Sequence, residues 1–158
     1  GAQVPHLETK SAIDELSSRR NVHFLGAKSV QDLAAYPQHF DVCIMPYEAN
    51  DYTKYIYPLK LHEYLASGRP TVGTRIRSLE EFADVVALAS MPDEWSAAII
   101  ESLDSSANTG ERRAARQAVA RRHDWHLLVA QIAKTMARRL GHDFADRFME
   151  LHDRRVEP

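Results

Sequence analysis

The chain has 158 residues, of which 44% are hydrophobic and 27% are charged. These values suit one globular domain with a proper core and exclude a disordered chain. No apolar run reaches the roughly 20 residues that a membrane-spanning helix needs, and no signal-peptide pattern opens the sequence. The first residues (GAQVP) lead us to expect a chain that begins in mid-domain.

The formal charge of −2 hides an asymmetry along the chain. Residues 1–107 hold nine Lys or Arg against fifteen Asp or Glu, while residues 108–158 hold eleven against seven. A basic tail of this kind is usually the solvated face of long helices, although it also suits an anionic membrane surface or a nucleic acid. Nucleic-acid binding is disfavoured because the aromatic and groove-reading elements are missing.

Cys43 is the single cysteine, so the sequence allows neither an internal disulfide nor a cysteine-based zinc site. It lies in the apolar run 42–45, and this setting predicts a buried and inert thiol.

Hydrophobic periodicity and turn residues predict the elements in chain order. Gly68 and Pro70 mark the clearest helix end, and Ser29 and Ser78 are the predicted N-caps of two short helices. The predicted helices cover residues 7–18, 29–36, 58–67, 78–82, 92–103, 111–140 with a break near 123–124, and 142–152. The predicted strands cover residues 21–26, 40–45, 71–74 and 85–88, with a loop at 105–110.

Alternation of strand and helix over the first hundred residues predicts an α/β fold, with a Rossmann-like parallel sheet carrying helices on both faces. The apolar run 42–45 suits a strand that is covered on both faces. Ligands of such sheets lie outside the carboxyl ends of the strands, which directs attention to loops 26–29, 46–57 and 74–78. We expect a Rossmann-like ligand-binding domain in residues 1–107, which the family resemblance described below implies to be nucleotide-sugar-binding, and a helical segment in 108–158 that packs on it.

The stretch 58–74 (PLKLHEYLASGRPTVGT) is the most informative part of the sequence. It places a helix N-terminus just beyond an apolar strand, where unpaired N–H groups and the helix dipole favour a phosphate. Lys60 adds positive charge in the first turn, and the Glu63 carboxylate suits ribose hydroxyls, so a diphosphate linked to a ribose fits both. The alternative is a Lys60–Glu63 ion pair worth a few tenths of a kcal/mol.

This stretch resembles the donor-site signature of retaining glycosyltransferases of the GT-B architecture, in family 4 or its group 1-like relatives. That signature runs from a proline and a lysine into Glu-Tyr/Ala-Leu/Met-Ala-x-Gly-x-Pro-Val-Val. Residues 21–26 (NVHFLG), 40–47 (FDVCIMPY) and 123–125 (HDW) resemble further segments of the family in the same order. The resemblance covers residues 10–140 and implies the donor-binding, C-terminal half of a GT-B enzyme, with its last helix running toward an N-terminal acceptor domain.

The resemblance implies a donor site. Glu63 matches the glutamate that binds the donor ribose, and the backbone from Tyr57 to Lys60, with Pro58 and Leu59, matches the amides that hold the diphosphate. The loop of Gly26, Ala27 and Lys28 matches the lining of the nucleobase. Tyr47 and Tyr55 belong to a tyrosine-rich loop that either packs over the sugar or base or pins the loop itself.

This sequence departs from the family at two places. Tyr55 occupies the position eight before Glu63, where the family carries a first glutamate that addresses the transferred sugar; Glu48 or Asp51 are candidates to replace it. An arginine–lysine pair that grips the diphosphate is not found in residues 1–20. No histidine is assigned a catalytic role, and His62 is interpreted as a packing or surface residue. The catalytic residues stay unknown.

We therefore expect transfer of a sugar from a UDP- or GDP-sugar to an acceptor hydroxyl of a saccharide or lipid-linked saccharide, in polysaccharide or glycolipid synthesis. The resemblance implies neither a metal nor a cofactor, and it implies an acceptor domain as partner. The expected location is cytoplasmic, at most peripheral to the inner membrane face, and the chain alone should turn over little. The alternatives are a non-catalytic sugar-nucleotide-binding or interaction module of the same fold, and a flavodoxin-like or receiver-type domain.

Overall fold

A computed structural model describes residues 7–140 and Arg147. The chain divides into two units, Gly1–Leu33 and Ala34–Pro158. This division differs from the functional boundary predicted at residue 107, which stays a prediction. The predicted helix 142–152 lies outside the described residues, apart from Arg147, which is helical.

The first unit consists of helix α1 (Leu7–Ser17), an irregular segment and helix α2 (Val30–Leu33). Ser29 caps α2 as predicted, since its Oγ accepts a hydrogen bond from the backbone N–H of Asp32 at 3.2 Å. The strand predicted over 21–26 is wrong: these residues form no strand, and the Phe24 side chain is 60% exposed. A strand needs a neighbour for its backbone groups, and no described residue pairs with this segment.

The second unit is built on a parallel three-stranded sheet in the order β1-β2-β3. Its strands are β1 (Cys43–Met45), β2 (Thr71–Thr74) and β3 (Ala87–Ala89). Ile44 pairs with Val72, and Val72 with Ala87. The predicted α/β fold with a parallel sheet is confirmed. Strands β1 and β3 are shorter than predicted because pairing, rather than hydrophobicity, sets where each begins.

Helix α3 (Lys60–Ser67) follows β1 after a long loop and is the helix predicted over 58–67. Its Leu61 and Leu65, four residues apart and therefore on one face, are fully buried. Gly68 ends α3 in the left-handed conformation with φ +77°, and its N–H donates to the carbonyl of Leu65, which is the glycine C-cap expected from the sequence. Burial of this leucine face holds α3 in place.

Helix α4 (Arg77–Glu80) packs Leu79 directly onto the sheet. A Cβ atom at Gly73 of β2 would lie only 2.7 Å from the Cδ1 atom of Leu79. The absence of a side chain at Gly73 therefore leaves room for Leu79 to pack on the sheet. The Ser78 cap predicted for this helix is wrong. The N-cap is Ile76, with extended backbone and no side-chain cap, and the Ser78 Oγ is buried without a partner in the described part of the chain.

One face of β1 is less covered than the sequence predicts. Cys43 and Met45 are buried, but Ile44 between them is 47% exposed. The exposed side chain of Ile44 shows that the prediction of a strand covered on both faces is wrong at this residue.

The chain continues through α5 (Pro92–Leu103), α6 (Gly110–Arg122) and α7 (Trp125–Leu140). The predicted break near 123–124 separates α6 from α7. Helix α6 packs against α3, and its buried Arg116 donates to the carbonyl oxygens of Gly68 at 3.0 Å and Ala107 at 2.6 Å. A guanidinium at the C-terminal end of α3 is favoured by the helix dipole. These contacts tie the last helices to the region around α3.

Candidate functional site

The loop of residues 46–57 runs from the carboxyl end of β1 to helix α3. Its start is held to the neighbouring strand because the Thr74 Oγ1 donates to the Tyr47 carbonyl at 2.8 Å. Tyr47 itself is half-buried and packs against the core. The loop therefore begins at the sheet edge where a parallel α/β fold places its ligand.

Asn50 and Thr53, which the sequence analysis did not single out, order the middle of this loop. The Asn50 Oδ1 accepts from the backbone N–H groups of Tyr52 and Thr53 at 3.0 and 2.9 Å, and the Thr53 Oγ1 donates to the Glu48 carbonyl. An asparagine that accepts from N–H groups two and three residues later is a local turn signal that the sequence does contain. Polar side chains thus pin the loop, while Tyr52 and Tyr55 point out with about three quarters of their surface exposed.

The N-terminus of α3 carries no side-chain cap. Leu59 is the N-cap in helical conformation, and no side chain accepts from the first turn. Across residues 7–140 and 147, the backbone N–H groups of Leu59 and Lys60 donate to no other group. Pro58 before them is buried and has no N–H. Two adjacent unpaired donors at the positive end of a helix dipole are groups from which an anion could accept hydrogen bonds.

Lys60 and Glu63 lie in the first turn of α3, and both are exposed. The ion pair considered as an alternative is not formed: in the described part of the chain, the salt bridges join Arg19 to Glu15 and Lys54 to Asp51. The ammonium of Lys60 and the carboxylate of Glu63 are therefore both available to a ligand.

Glu63 faces a groove of about 580 Å³ between α3, the end of α6 and the start of α7. On the α3 side the groove is lined by Leu59 and Ala66, and Trp125 contributes a largely exposed ring from α7. The sequence analysis had placed Trp125 in the closing segment of the family without giving it a role in the site.

Tyr57, His62, Phe82 and His123 form an aromatic cluster beside this groove. The Tyr57 hydroxyl lies 2.7 Å from the His62 Nε2, and the His62 ring stacks on that of His123 with centroids 4.6 Å apart. Burial and then the neighbouring His123 lower the pKa of His62 below its ordinary value. His62 is thus a packing residue, and it fixes the end of the loop to α3.

Gly26, Ala27 and Lys28 belong to the first unit. Gly26 has φ +69°, a conformation that favours glycine, and the Lys28 Nζ donates to the Leu25 carbonyl at 2.6 Å. This side-chain bond spans residues 25–28. Their predicted grouping with Glu63 around a nucleobase stays a prediction.

The comparisons with known proteins assign the chain to a family. A family model described as glycosyl transferases group 1 matches residues 1–105. The chain belongs to this family. The resemblance inferred from the sequence is confirmed at that level, and the match includes α3 and the loop that precedes it.

A curated relative extends the match. The chain is 30% identical over 127 residues, 78% of its length, to the putative teichuronic acid biosynthesis glycosyltransferase TuaH of Bacillus subtilis (strain 168). The aligned part is 32% of that relative, so the chain spans about a third of its length. No solved structure matches the chain. Within the described residues, no helix is long and apolar enough to cross a membrane.

Proposed function

We propose that this chain binds the nucleotide-sugar donor of a glycosyltransferase, with UDP or GDP as the nucleotide. The observation that carries the proposal is the uncapped N-terminus of α3, where the N–H groups of Leu59 and Lys60 lack partners. Membership of the group 1 family supports the same reading. Pro58, Leu59 and Lys60 would hold the diphosphate, and Glu63 the ribose.

The reaction that follows is transfer of the sugar to an acceptor hydroxyl. Breaking the bond to the diphosphate leaves negative charge on its oxygens, and preorganised donors lower the barrier by stabilising that charge. The amides of Leu59 and Lys60 and the Lys60 ammonium supply these donors. Glu63 accepts hydrogen bonds from the ribose hydroxyls and so orients the nucleotide. This arrangement needs no metal ion or cofactor.

The wider setting is also part of the proposal. A relative of which this chain matches 32% supports an acceptor-binding domain as partner, and the name of that relative concerns teichuronic acid biosynthesis. We therefore place the reaction in polysaccharide or glycolipid synthesis, on a saccharide or lipid-linked saccharide, at the cytoplasmic side of the membrane. Alone, this chain would bind donor and turn it over slowly.

A non-catalytic nucleotide-binding module of the same fold is the second candidate. Tyr55, eight positions before Glu63, is the observation in its favour, because its exposed ring stands where the family carries a glutamate for the transferred sugar. In a module of this kind the nucleotide would bind, but the intact protein would not transfer its sugar.

Calorimetric titration with UDP, GDP and AMP tests the proposal. We expect saturable binding of UDP or GDP, and a loss of about tenfold or more in Glu63→Gln, since a hydrogen bond to a charged group contributes about 1.5–3 kcal/mol. Glu111→Gln, an equally exposed change in the first turn of α6, is the control and should bind as the parent does. Equal binding of all three nucleotides, or an unaffected Glu63→Gln, would overturn the proposal.

A further inference from the structure

A second groove lies beyond the carboxyl ends of β1 and β2 and is lined by residues other than those of the groove beside Glu63. It lies where the turn Thr53–Tyr55 contacts α4. Two cavities of about 430 and 570 Å³ form it and share Lys54 and Arg77 in their linings. We call this the cationic groove, and its polar and charged lining consists of Asn50, Asp51, Lys54, Tyr55, Arg75, Arg77, Ser78 and Glu81.

The cationic side chains of the groove differ in whether they already form hydrogen bonds or ion pairs within the protein. The Lys54 Nζ pairs with the Asp51 carboxylate at 3.0 Å and lies 5.2 Å from the centre of the Tyr55 ring. Arg75 donates to the Leu88 carbonyl at 3.4 Å. The Arg77 guanidinium, in contrast, makes no hydrogen bond or ion pair with any described residue, although Glu81 stands one turn later in the chain.

An exposed guanidinium without a partner limits what the groove can recognise. Guanidinium and ammonium groups only donate hydrogen bonds, so they suit anionic oxygens better than neutral hydroxyls, which both donate and accept. Arginine also matches a carboxylate with two parallel hydrogen bonds. Neutral sugars are instead held mainly by carboxylate and amide oxygens, and the only carboxylates here are Asp51, already paired, and Glu81.

The position of Tyr55 relates the groove to the proposed diphosphate site. Tyr55 lines the groove and lies four residues before Leu59, in the loop that leads to the N-terminus of α3. A donor sugar is bonded directly to the diphosphate, so the same loop joins the two sites. The groove offers a lysine and a tyrosine from this loop and an arginine from α4.

We propose that the cationic groove binds a carboxylate carried by a sugar substrate, with Arg77 as the specificity-determining residue, so that the substrate class is an acidic, uronate-type sugar. The inference rests on the proposed function, because it assigns the sugar side of the same donor site. The carboxylate belongs either to the transferred sugar of the donor or to the acceptor. Both sources present the same chemistry to Arg77.

The donor arm of the test compares UDP-glucuronate with UDP-glucose by calorimetry at low salt, or GDP-mannuronate with GDP-mannose if GDP is the nucleotide bound. We expect the uronate to bind about tenfold more tightly, as one charge-assisted contact implies. In Arg77→Gln this preference should fall below about threefold, while binding of the nucleotide alone is unchanged, which also shows that the variant is folded. Arg139→Gln on α7 is the matched control and should keep the preference.

The acceptor arm adds methyl glucuronide or methyl glucoside to the chain saturated with the nucleotide. If methyl glucuronide binds, methyl glucoside does not, and the two donors bind equally well, the carboxylate belongs to the acceptor. This binding should be lost in Arg77→Gln. Absence of an Arg77-dependent preference in both arms overturns the inference and leaves nucleotide binding intact. If no nucleotide binds, the proposed function fails, and the titration with methyl glucuronide, followed at the Arg77 side chain by NMR, still decides whether the groove takes a carboxylate.

Discussion

Gly68→Ala should destabilise the chain strongly, because two independent effects meet at this residue. Gly68 ends α3 with φ +77°, where an L-residue costs about 1–2 kcal/mol. An added Cβ would also lie 2.4 Å from the Arg113 Cγ and 3.2 Å from its Cδ. Moving that side chain disturbs the packing of α6 on α3, and overpacking of this kind costs about 1–3 kcal/mol. We therefore expect a loss of about 2–5 kcal/mol in the free energy of unfolding.

Urea denaturation followed by circular dichroism measures this loss, and a double variant separates its parts. In the Arg113→Ala background the steric part disappears, so Gly68→Ala should then cost only about 1–2 kcal/mol. Gly110→Ala is the control: no atom lies within 4 Å of its added Cβ, so it should be neutral or slightly stabilising. A loss below about 0.5 kcal/mol for Gly68→Ala would refute both the left-handed cap and the contact with α6.

Three further predictions follow from buried polar groups. Burial and then His123 lower the pKa of His62 in the folded chain, so as the pH falls the unfolded chain takes up the proton first. The free energy of unfolding should therefore decrease as the pH drops below the ordinary histidine value of 6.5. Urea unfolding of His62→Gln should show a weaker decrease with pH, and an equal decrease would contradict this. Burial raises the pKa of Cys43 to about 11, so the thiol should react with a disulfide reagent at pH 8 only after denaturation; rapid labelling of the native chain would be inconsistent with it. Arg116→Met leaves the Gly68 and Ala107 carbonyls without their donor and should lower the free energy of unfolding, measured in urea, by about 2 kcal/mol. The control is Arg112→Met on the exposed side of α6, which should lower it by less than roughly 0.5 kcal/mol, as surface changes do.

Local sequence signals predicted two helix boundaries that are marked by glycine or proline. Helix α3 begins at Lys60 rather than at the predicted Pro58, but Gly68 ends it and Pro92 begins α5 as predicted. At these two confirmed boundaries the backbone chemistry of glycine and proline decides where the helix ends or begins, and that chemistry is visible in the sequence. The two-residue gap between α6 and α7 was likewise predicted.

The wrong predictions share a physical reason. The segment 21–26 has the composition of a strand, yet strand formation depends on a pairing partner that composition does not reveal. Ile44 looked like a residue buried between two layers, but coverage of a strand depends on which elements pack against it. Ser78 looked like an N-cap, but the N-cap of α4 is Ile76, two residues earlier.

The site was predictable in part. The position of Lys60 in the first turn of the helix followed from the sequence, whereas Glu63, predicted about a turn further in, also lies in the first turn because α3 begins at Lys60; the binding roles of both residues stay predictions. The stacking of His62 on His123 and the shared lining by Lys54 and Arg77 were not predictable, because they join residues far apart in the sequence through tertiary packing. Sequence patterns show which side chains an element carries, and only the fold shows which residues they contact.

The most direct test of the central claim is to follow the backbone amides of Leu59 and Lys60 by NMR while UDP or GDP is added, with uridine or guanosine as the controls without phosphate. If the N-terminus of α3 binds the diphosphate, these two amides should shift strongly with the diphosphates and little with the nucleosides. Saturable nucleotide binding that leaves both amides unmoved, or that moves them equally with nucleoside alone, would contradict the account.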